Sequence, residues 1–409
     1  MNEGARAPNE RETDTRSLTF LALLRILRSV AAGMINIAFP FLVLTELHLG
    51  SFILGVMYAA ATVATALLGL GIGIAADLVG RRVSFVVALA LLPLSALLVV
   101  GSTSVPSLFL AAVVGGISAT GSLPGGGVGG AAQPIQGVLT TELTSRKDRT
   151  RYFSLMAFIS GVASAAGAYL GGFGAIQDVF AVAAALGAIS VLLSPFVRTG
   201  KSVRKTLTLR SGSAIGKFGL TGMLNGLSQG LITPFLIPFF IVLYSVTRQE
   251  MNVYAAASGL TASFTLLLAP RIERRLGFLR GMIATRGASV MLAVLMPLVR
   301  VFPVSLLIYL LLPATRVAAM PVQRTAMMDM VQEDERGAAL GINQTSRLLA
   351  SSGGTYLSGF EFAAFEVDPL AIDVPFTLYG VVLALNLGLY WWFFRRYRPP
   401  PEATSESGK

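Results

Sequence analysis

The chain carries a series of apolar runs, each long enough to cross a bilayer, from Leu18 to Phe394. In lipid, such a run must satisfy its backbone hydrogen bonds internally, which restricts it to helix. The runs predict an all-α membrane protein of twelve transmembrane helices, roughly 18–47, 52–72, 83–100, 107–143, 153–174, 179–197, 218–245, 252–269, 282–299, 304–330, 338–360 and 374–394. Only 13% of the residues are charged and 54% are hydrophobic, whereas soluble domains are about 25% charged. The polar, mixed-charge opening MNEGARAPNERETDTRS does not read as a cleavable signal. With no cysteine and one histidine, His48, disulfides, thiolate nucleophiles and a His or Cys metal cluster are excluded.

A net charge of +11 raises the question of a nucleic-acid partner. Its distribution argues for a membrane instead, because the basic residues gather in alternate connections. Arg81 and Arg82, Arg146 to Arg151, Arg198 to Arg210, Arg271 to Arg280 and Arg336 share one side, and the other holds little beyond Arg248 and Arg300. Basic loops stay on the cytoplasmic side, so both termini are expected inside, in a multi-pass protein of the cell membrane. The closing Tyr390-Trp-Trp-Phe-Phe394, followed by Arg395-Arg-Tyr-Arg398, reads as an aromatic belt at that face.

The chain also repeats itself. Tyr58-Ala-Ala-Ala61 recurs as Tyr254-Ala-Ala-Ala257, and in that register Asp77 falls on Glu273. Residues 131–172 align without a gap on 318–359, with about eleven identities, among them Pro134/Pro321, Gln136/Gln323, Arg149/Arg336 and Tyr169/Tyr356. The organisation is two pseudo-symmetric six-helix bundles, 18–197 and 218–394, with tails 1–17 and 395–409 and a basic linker, 198–217. The offset between halves is about 196 at Tyr58 but about 187 at Pro134, so the first half holds roughly nine extra residues between them. Gly121-Ser-Leu-Pro-Gly-Gly-Gly-Val-Gly-Gly130 has nearly that length. It predicts that the fourth span is interrupted or extended there, beside the solute path if the break is buried; the alternative is an outer loop that lengthens the connection after the third helix.

Gly73-Ile-Ala-Ala-Asp77-Leu-Val-Gly80-Arg81-Arg82, between the second and third helices, resembles the signature loop of the major facilitator superfamily. Leu78 stands where that loop has a basic residue. With the two repeats, the resemblance covers nearly the whole chain and implies a secondary transporter that works by alternating access. It makes Gly73, Asp77, Gly80, Arg81 and Arg82 a conformational-switch loop, in which Asp77 faces a helix N-terminus and the arginines meet carboxylates or lipid phosphate. Gly167-Ala-Tyr-Leu-Gly171-Gly172 resembles the efflux-type element of the superfamily, with Ala168 in place of proline; small residues at that spacing also serve helix packing.

Polar residues inside the spans mark the expected substrate path. Asn225, Gln229 and Thr233 recur every fourth position and share one helix face. Arg28 and Asn36 form a similar stripe in the first helix, and Gln133, Gln136, Gln323 and Asn343 are assigned to the same path. Arg316 falls near mid-bilayer and Arg347 is shallower. An arginine there costs at least about 2.5–3.5 kcal/mol, so it must face protein or water. Arg316, Arg28 and Arg347 read as substrate-recognising, whereas Arg25, Arg286 and Arg324 read as snorkelling to the interface. Methionines of the tenth helix, Met320 among them, read as packing and receive no site.

Acids are scarce at depth. Glu142 and Asp329 lie at the inner ends of the fourth and tenth helices, as gate or anchoring partners of Arg149 and Arg336. Proton antiport is therefore an expectation from the resemblance alone, and no cofactor, metal site or enzymatic centre is expected. The expected partners are a small-molecule substrate and the lipid bilayer. The reading is an exporter of amphipathic or anionic compounds; uptake of a nutrient anion or sugar, or a receptor or lipid-handling role without flux, stay open.

Overall fold

The computed structural model describes residues 13–117, 130–145, 149–199, 210–332, 335–365, 368 and 370–395. The helices are α1 Thr15–Phe41, α2 Gly50–Leu78, α3 Arg81–Gly101, α4 Val105–Gly115, α5 Gln133–Leu143, α6 Arg149–Leu170, α7 Ile176–Leu193, α8 Gly212–Ile232, α9 Leu236–Tyr244, α10 Arg248–Val299, α11 Phe302–Met330, α12 Arg336–Ala364 and α13 Asp373–Phe394. Among the described residues, 10 helical spans are long and apolar enough to cross a membrane. The interrupted pair α4–α5 and the more polar α12 fall outside that count, and with them the order is consistent with twelve crossings.

The first bundle packs α1 on α6 and α7, and α3 on α7; the second packs α8 on α12 and α13, and α10 on α11 and α13. The bundles meet through α2 with α12 and α6 with α10. Several of these contacts lie near the face opposite the chain termini. There Gly55 approaches Gly359 so closely that a Cβ on Gly55 would stand 2.5 Å from the Gly359 Cα. Phe52 meets Tyr356 edge-on at 5.9 Å, Asn252 donates to the Tyr169 carbonyl at 2.9 Å, and Arg248 donates to the Gly174 carbonyl. The bundles are thus joined at this far face.

The ninth span departs from the sequence reading in its boundary, whereas the break in the fourth was expected. The eighth and ninth are two helices, the two arms of α10, which meet at a kink where Gly277 takes φ 71°, a left-handed conformation that suits glycine. The second arm begins just after Gly277, ahead of 282. The fourth span breaks into α4 and α5, with Gly116 capping α4 at φ 57° and Ile117 donating to the Ala112 carbonyl at 2.9 Å. Ser95 Oγ satisfies the Ala111 carbonyl at 2.7 Å. Most of the glycine run, Gly121 to Gly129, lies outside the described residues. Its flanks do not: Cβ atoms on Gly116 and Gly130 would both meet Thr65, midway along α2. The chain leaves and rejoins the span at one place, as an insertion into a continuous helix would. The sister span, α11, is unbroken.

Prolines inside spans are matched by polar neighbours. A helical proline lacks an N–H and frees the carbonyl four residues earlier, which lipid cannot satisfy. Pro93 frees Leu89, whose carbonyl accepts from Arg28 Nη1 at 2.8 Å. Ser258 Oγ donates to the Tyr309 carbonyl at 2.9 Å, four residues before Pro313, and Thr355 Oγ1 reaches the Gly230 carbonyl at 3.3 Å, four before Pro234.

The described ends of the linker are tied to the bundles. The Arg198 N–H donates to Ser17 Oγ at 3.3 Å, and its guanidinium lies 3.7 Å from Asp14. The Arg210 and Ser211 N–H groups donate to the Glu335 carboxylate, the latter at 2.7 Å. Ser211, through its hydroxyl and backbone, holds the Glu335 carboxyl below the usual carboxylate range, and Arg210 adds to this. The remainder, 200–209, lies outside the described residues.

Candidate functional site

The second bundle encloses a cavity lined by Asn225, Gln229, Arg286, Ser289, Arg316, Met320, Tyr379 and Leu383, about 340 Å³ with its mouth included. Four helices supply this wall. Asn225 and Gln229 are one turn apart on α8, Arg286 and Ser289 belong to the second arm of α10, Arg316 and Met320 to α11, and Tyr379 and Leu383 to α13. Arg286, Arg316 and Gln229 lie roughly 13–15 residues from the far ends of their spans. At 1.5 Å per residue they share a depth of about 20–23 Å.

Both guanidiniums are held. Arg316 Nη1 donates to Thr233 Oγ1, where α8 gives way to a short tight turn before α9, and the group lies 5.9 Å from the Tyr379 ring centre. Arg286 donates through Nη2 to Gln323 Oε1 at 2.8 Å and lies 4.8 Å from the Tyr390 ring centre. Aromatic faces are partners that desolvated arginines use well. Ser289 and Thr315 share a hydrogen bond of 2.8 Å behind the pair. Beside the cavity, Arg347 Nη1 donates to Gln229 Oε1 at 2.6 Å and Nη2 to Gln344 Oε1 at 2.9 Å. No carboxylate is among the lining residues.

Of the residues assigned to the path, Asn225, Gln229 and Arg316 line this cavity, and Thr233, Gln323 and Arg347 touch its walls. The others lie elsewhere. Arg28 is 6% exposed and donates to the Leu89 carbonyl, which Pro93 leaves without its helical partner. Asn343 donates to the Phe218 carbonyl at 2.5 Å and pins α12 to α8. Asn36, half-buried on α1, and Gln133 and Gln136 on α5 belong to the first bundle.

Arg286 requires a correction. It is 4% exposed and lines the cavity instead of snorkelling, because the second arm of α10 begins just after Gly277, ahead of 282, and carries it deeper. Ser289, Tyr379, Leu383 and Met320 were also missed. Tyr379, Leu383, Asn386 and Tyr390 follow one another at helical spacing along α13, which marks a common face but not what it faces.

The switch loop is described in part. Gly80 adopts φ 109°, and Arg81 opens α3 in an ion pair with Glu142 in the last turn of α5. Glu142 was expected to partner Arg149; its described partner is Arg81, since the ends of α3 and α5 converge. Each charge taken alone opposes its own helix dipole, and the pair offsets both. The side chains of Asp77, Arg149 and Arg336 lie outside those described. Gly73 is within α2, Arg82 is exposed, and Asp329 is exposed near the end of α11.

Comparison with known proteins resolves the class. The family model of the Major Facilitator Superfamily matches residues 21–355 and, separately, 218–409. The chain belongs to the Major Facilitator Superfamily. It is a transporter and not an enzyme. No curated protein sequence matches the chain significantly. Among solved structures, it is similar to the human organic anion transporter MFSD10 (TETRAN), with 16% identity over 93% of this chain and 100% of that one, TM-score 0.67. A bacterial homolog of the human lysosomal transporter Spinster, in an inward-facing and occupied conformation, shares 14% identity over 96% of this chain and 100% of that one, TM-score 0.72. A D-xylose-proton symporter shares 17% over 93% and 98%, TM-score 0.72. At these identities the likeness establishes the fold alone. In this superfamily member the glycines of the Gly167–Gly172 element make close helix contacts: Cβ atoms on Gly167 and Gly171 would strike the α1 backbone at Val30 and Met34.

Proposed function

We propose that this transporter carries a small anionic solute across the membrane by alternating access, with the cavity of the second bundle as its binding site. One observation carries the reading: Arg286 and Arg316 line a cavity to which no carboxylate among the described residues contributes. Guanidiniums buried at membrane depth are costly, and an anionic ligand supplies the missing counter-charge. The bundles, joined at the far face, would rock about this site, and the Arg81–Glu142 pair is a contact whose breaking biases the two states. The face bearing the termini is assigned to the cytoplasm on its basic connections. Export is assigned as the direction on the resemblance of the Gly167–Gly172 element, and a proton gradient is the driving force to be tested.

Reconstitution into proteoliposomes tests the reading. Flux of organic anions is expected in the wild type and lost in Arg316→Ala, while Arg25→Ala, whose guanidinium contacts Ser160 at 3.1 Å outside the cavity, keeps it. Equal flux through both variants would sink the site. Accumulation in inside-out vesicles supports export, and accumulation only in right-side-out vesicles replaces it with uptake. Flux unaffected by an imposed proton gradient removes proton coupling.

A further inference from the structure

Among the described residues, two buried nitrogens in the cavity wall have no partner. Gln229, 1% exposed, accepts from Arg347 through Oε1, leaving Nε2 unbonded. Arg286, 4% exposed, donates through Nη2 to Gln323, leaving Nη1 unbonded. Both residues line the same cavity from facing helices. A buried donor without an acceptor is a standing penalty, removed by a ligand that brings the acceptor. Arg316 is already engaged by Thr233 and lies near the Tyr379 ring.

We propose that the ligand is a small organic carboxylate, its two oxygens accepting from Gln229 Nε2 and Arg286 Nη1 and its apolar body lying against Met320 and Leu383. This rests on the reading of the cavity as an anion site and names the class of anion. Two buried free donors match the two oxygens of a planar carboxylate. A phosphate or sulfate brings more acceptors than these donors meet, and Met320 and Leu383 offer nothing to a wholly polar ion.

Gln229→Glu is the sharpest probe. It keeps the Oε1 acceptor for Arg347 and replaces only the free N–H₂ with a carboxylate oxygen, which repels the ligand. Binding of benzoate, hexanoate, benzamide and inorganic phosphate to the purified full-length protein would be followed by ligand-dependent thermal shift. Expected are stabilisation by benzoate or hexanoate, none by benzamide or phosphate, and at least about tenfold weaker carboxylate binding in Gln229→Glu. Arg286→Lys, which keeps the charge but loses the fork, is expected to weaken it about tenfold and carries the same comparison if Gln229→Glu does not fold. Stabilisation by phosphate but by neither carboxylate overturns the carboxylate assignment and leaves the anion site standing. Carboxylate binding unchanged in both variants overturns the two donors. No stabilisation by any anion, together with no anion flux, overturns the anion site itself.

Discussion

Gly226→Ala tests how the arginines are positioned. Gly226 lies where α8 crosses α12, and a Cβ there would stand 1.9 Å from the Arg347 carbonyl oxygen, 2.7 Å from its carbon and 2.8 Å from its Cα. Ordinary contact begins at 3.4 Å, so the two backbones must part by about 1.5 Å, the difference between 3.4 and 1.9. The neighbouring contact, Gly230 on Ser351, is as tight, with a Cβ 1.9 Å from the Ser351 carbonyl oxygen, so the crossing has no slack. Overpacking of this kind costs about 1–3 kcal/mol. Separation also stretches the Arg347–Gln229 hydrogen bond, now 2.6 Å, and a bond to a charged group is worth about 1.5–3 kcal/mol. Against this, alanine gains about 1 kcal/mol of helix propensity. The net expectation is about 1.5–5 kcal/mol of destabilisation, with loss of anion affinity as Gln229 shifts.

Gly216, on the same helix, has nothing within 4 Å of its Cβ position. Gly216→Ala is therefore expected to be neutral or to stabilise by up to about 1 kcal/mol. Thermal unfolding of the purified variants under identical conditions makes the comparison. A Gly226→Ala protein as stable as Gly216→Ala, with unchanged anion affinity, would refute the close crossing and the positioning argument built on it.

Arg28→Leu leaves the Leu89 carbonyl without this donor, for an expected loss of about 1.5–3 kcal/mol. Pro93→Ala restores an N–H within α3, so the loss should shrink in the double variant, and a thermal double-mutant cycle without coupling would reject the pairing. Reversing the pair as Arg81→Glu with Glu142→Arg should recover transport that either single change reduces; failure of the double variant alone would reject a purely electrostatic latch. Folding depresses the pKa of Glu335 below its ordinary 4.5. Its stabilising effect is therefore complete above about pH 4.5 and lost as pH falls through the depressed folded value. Stability measured from pH 7 down to 3 should fall less steeply in Glu335→Gln, and parallel curves would show that Glu335 contributes nothing to that slope.

Much of the architecture was legible because its cause is local. A run of about 20 apolar residues has one outcome in lipid whatever surrounds it, and the repeat, Pro134 with Pro321 and Tyr169 with Tyr356, needs only the chain itself to be seen. Less of the site was legible. Asn225 and Gln229 show as a polar stripe, but Arg28 and Arg286 look alike in sequence, as isolated arginines near the same end of a span. One satisfies a proline-freed carbonyl and the other lines a cavity. Arg286 was misread through a boundary, since the apolar pattern that set the span at 282 carries no mark of the kink at Gly277.

The sequence alone determined that the chain is helical and membrane-embedded, that it is built as a repeat, and that the fourth span is longer than its sister. These follow from hydropathy and self-similarity, properties of contiguous residues. Only the tertiary structure decided that Gly116 and Gly130 return to the same Thr65, that Glu142 pairs with Arg81, and that Gln229, Arg286, Arg316 and Tyr379 from four helices face one cavity. The rotation and depth of each helix are set by its neighbours, through close approaches such as Gly226 on Arg347 that no local pattern encodes.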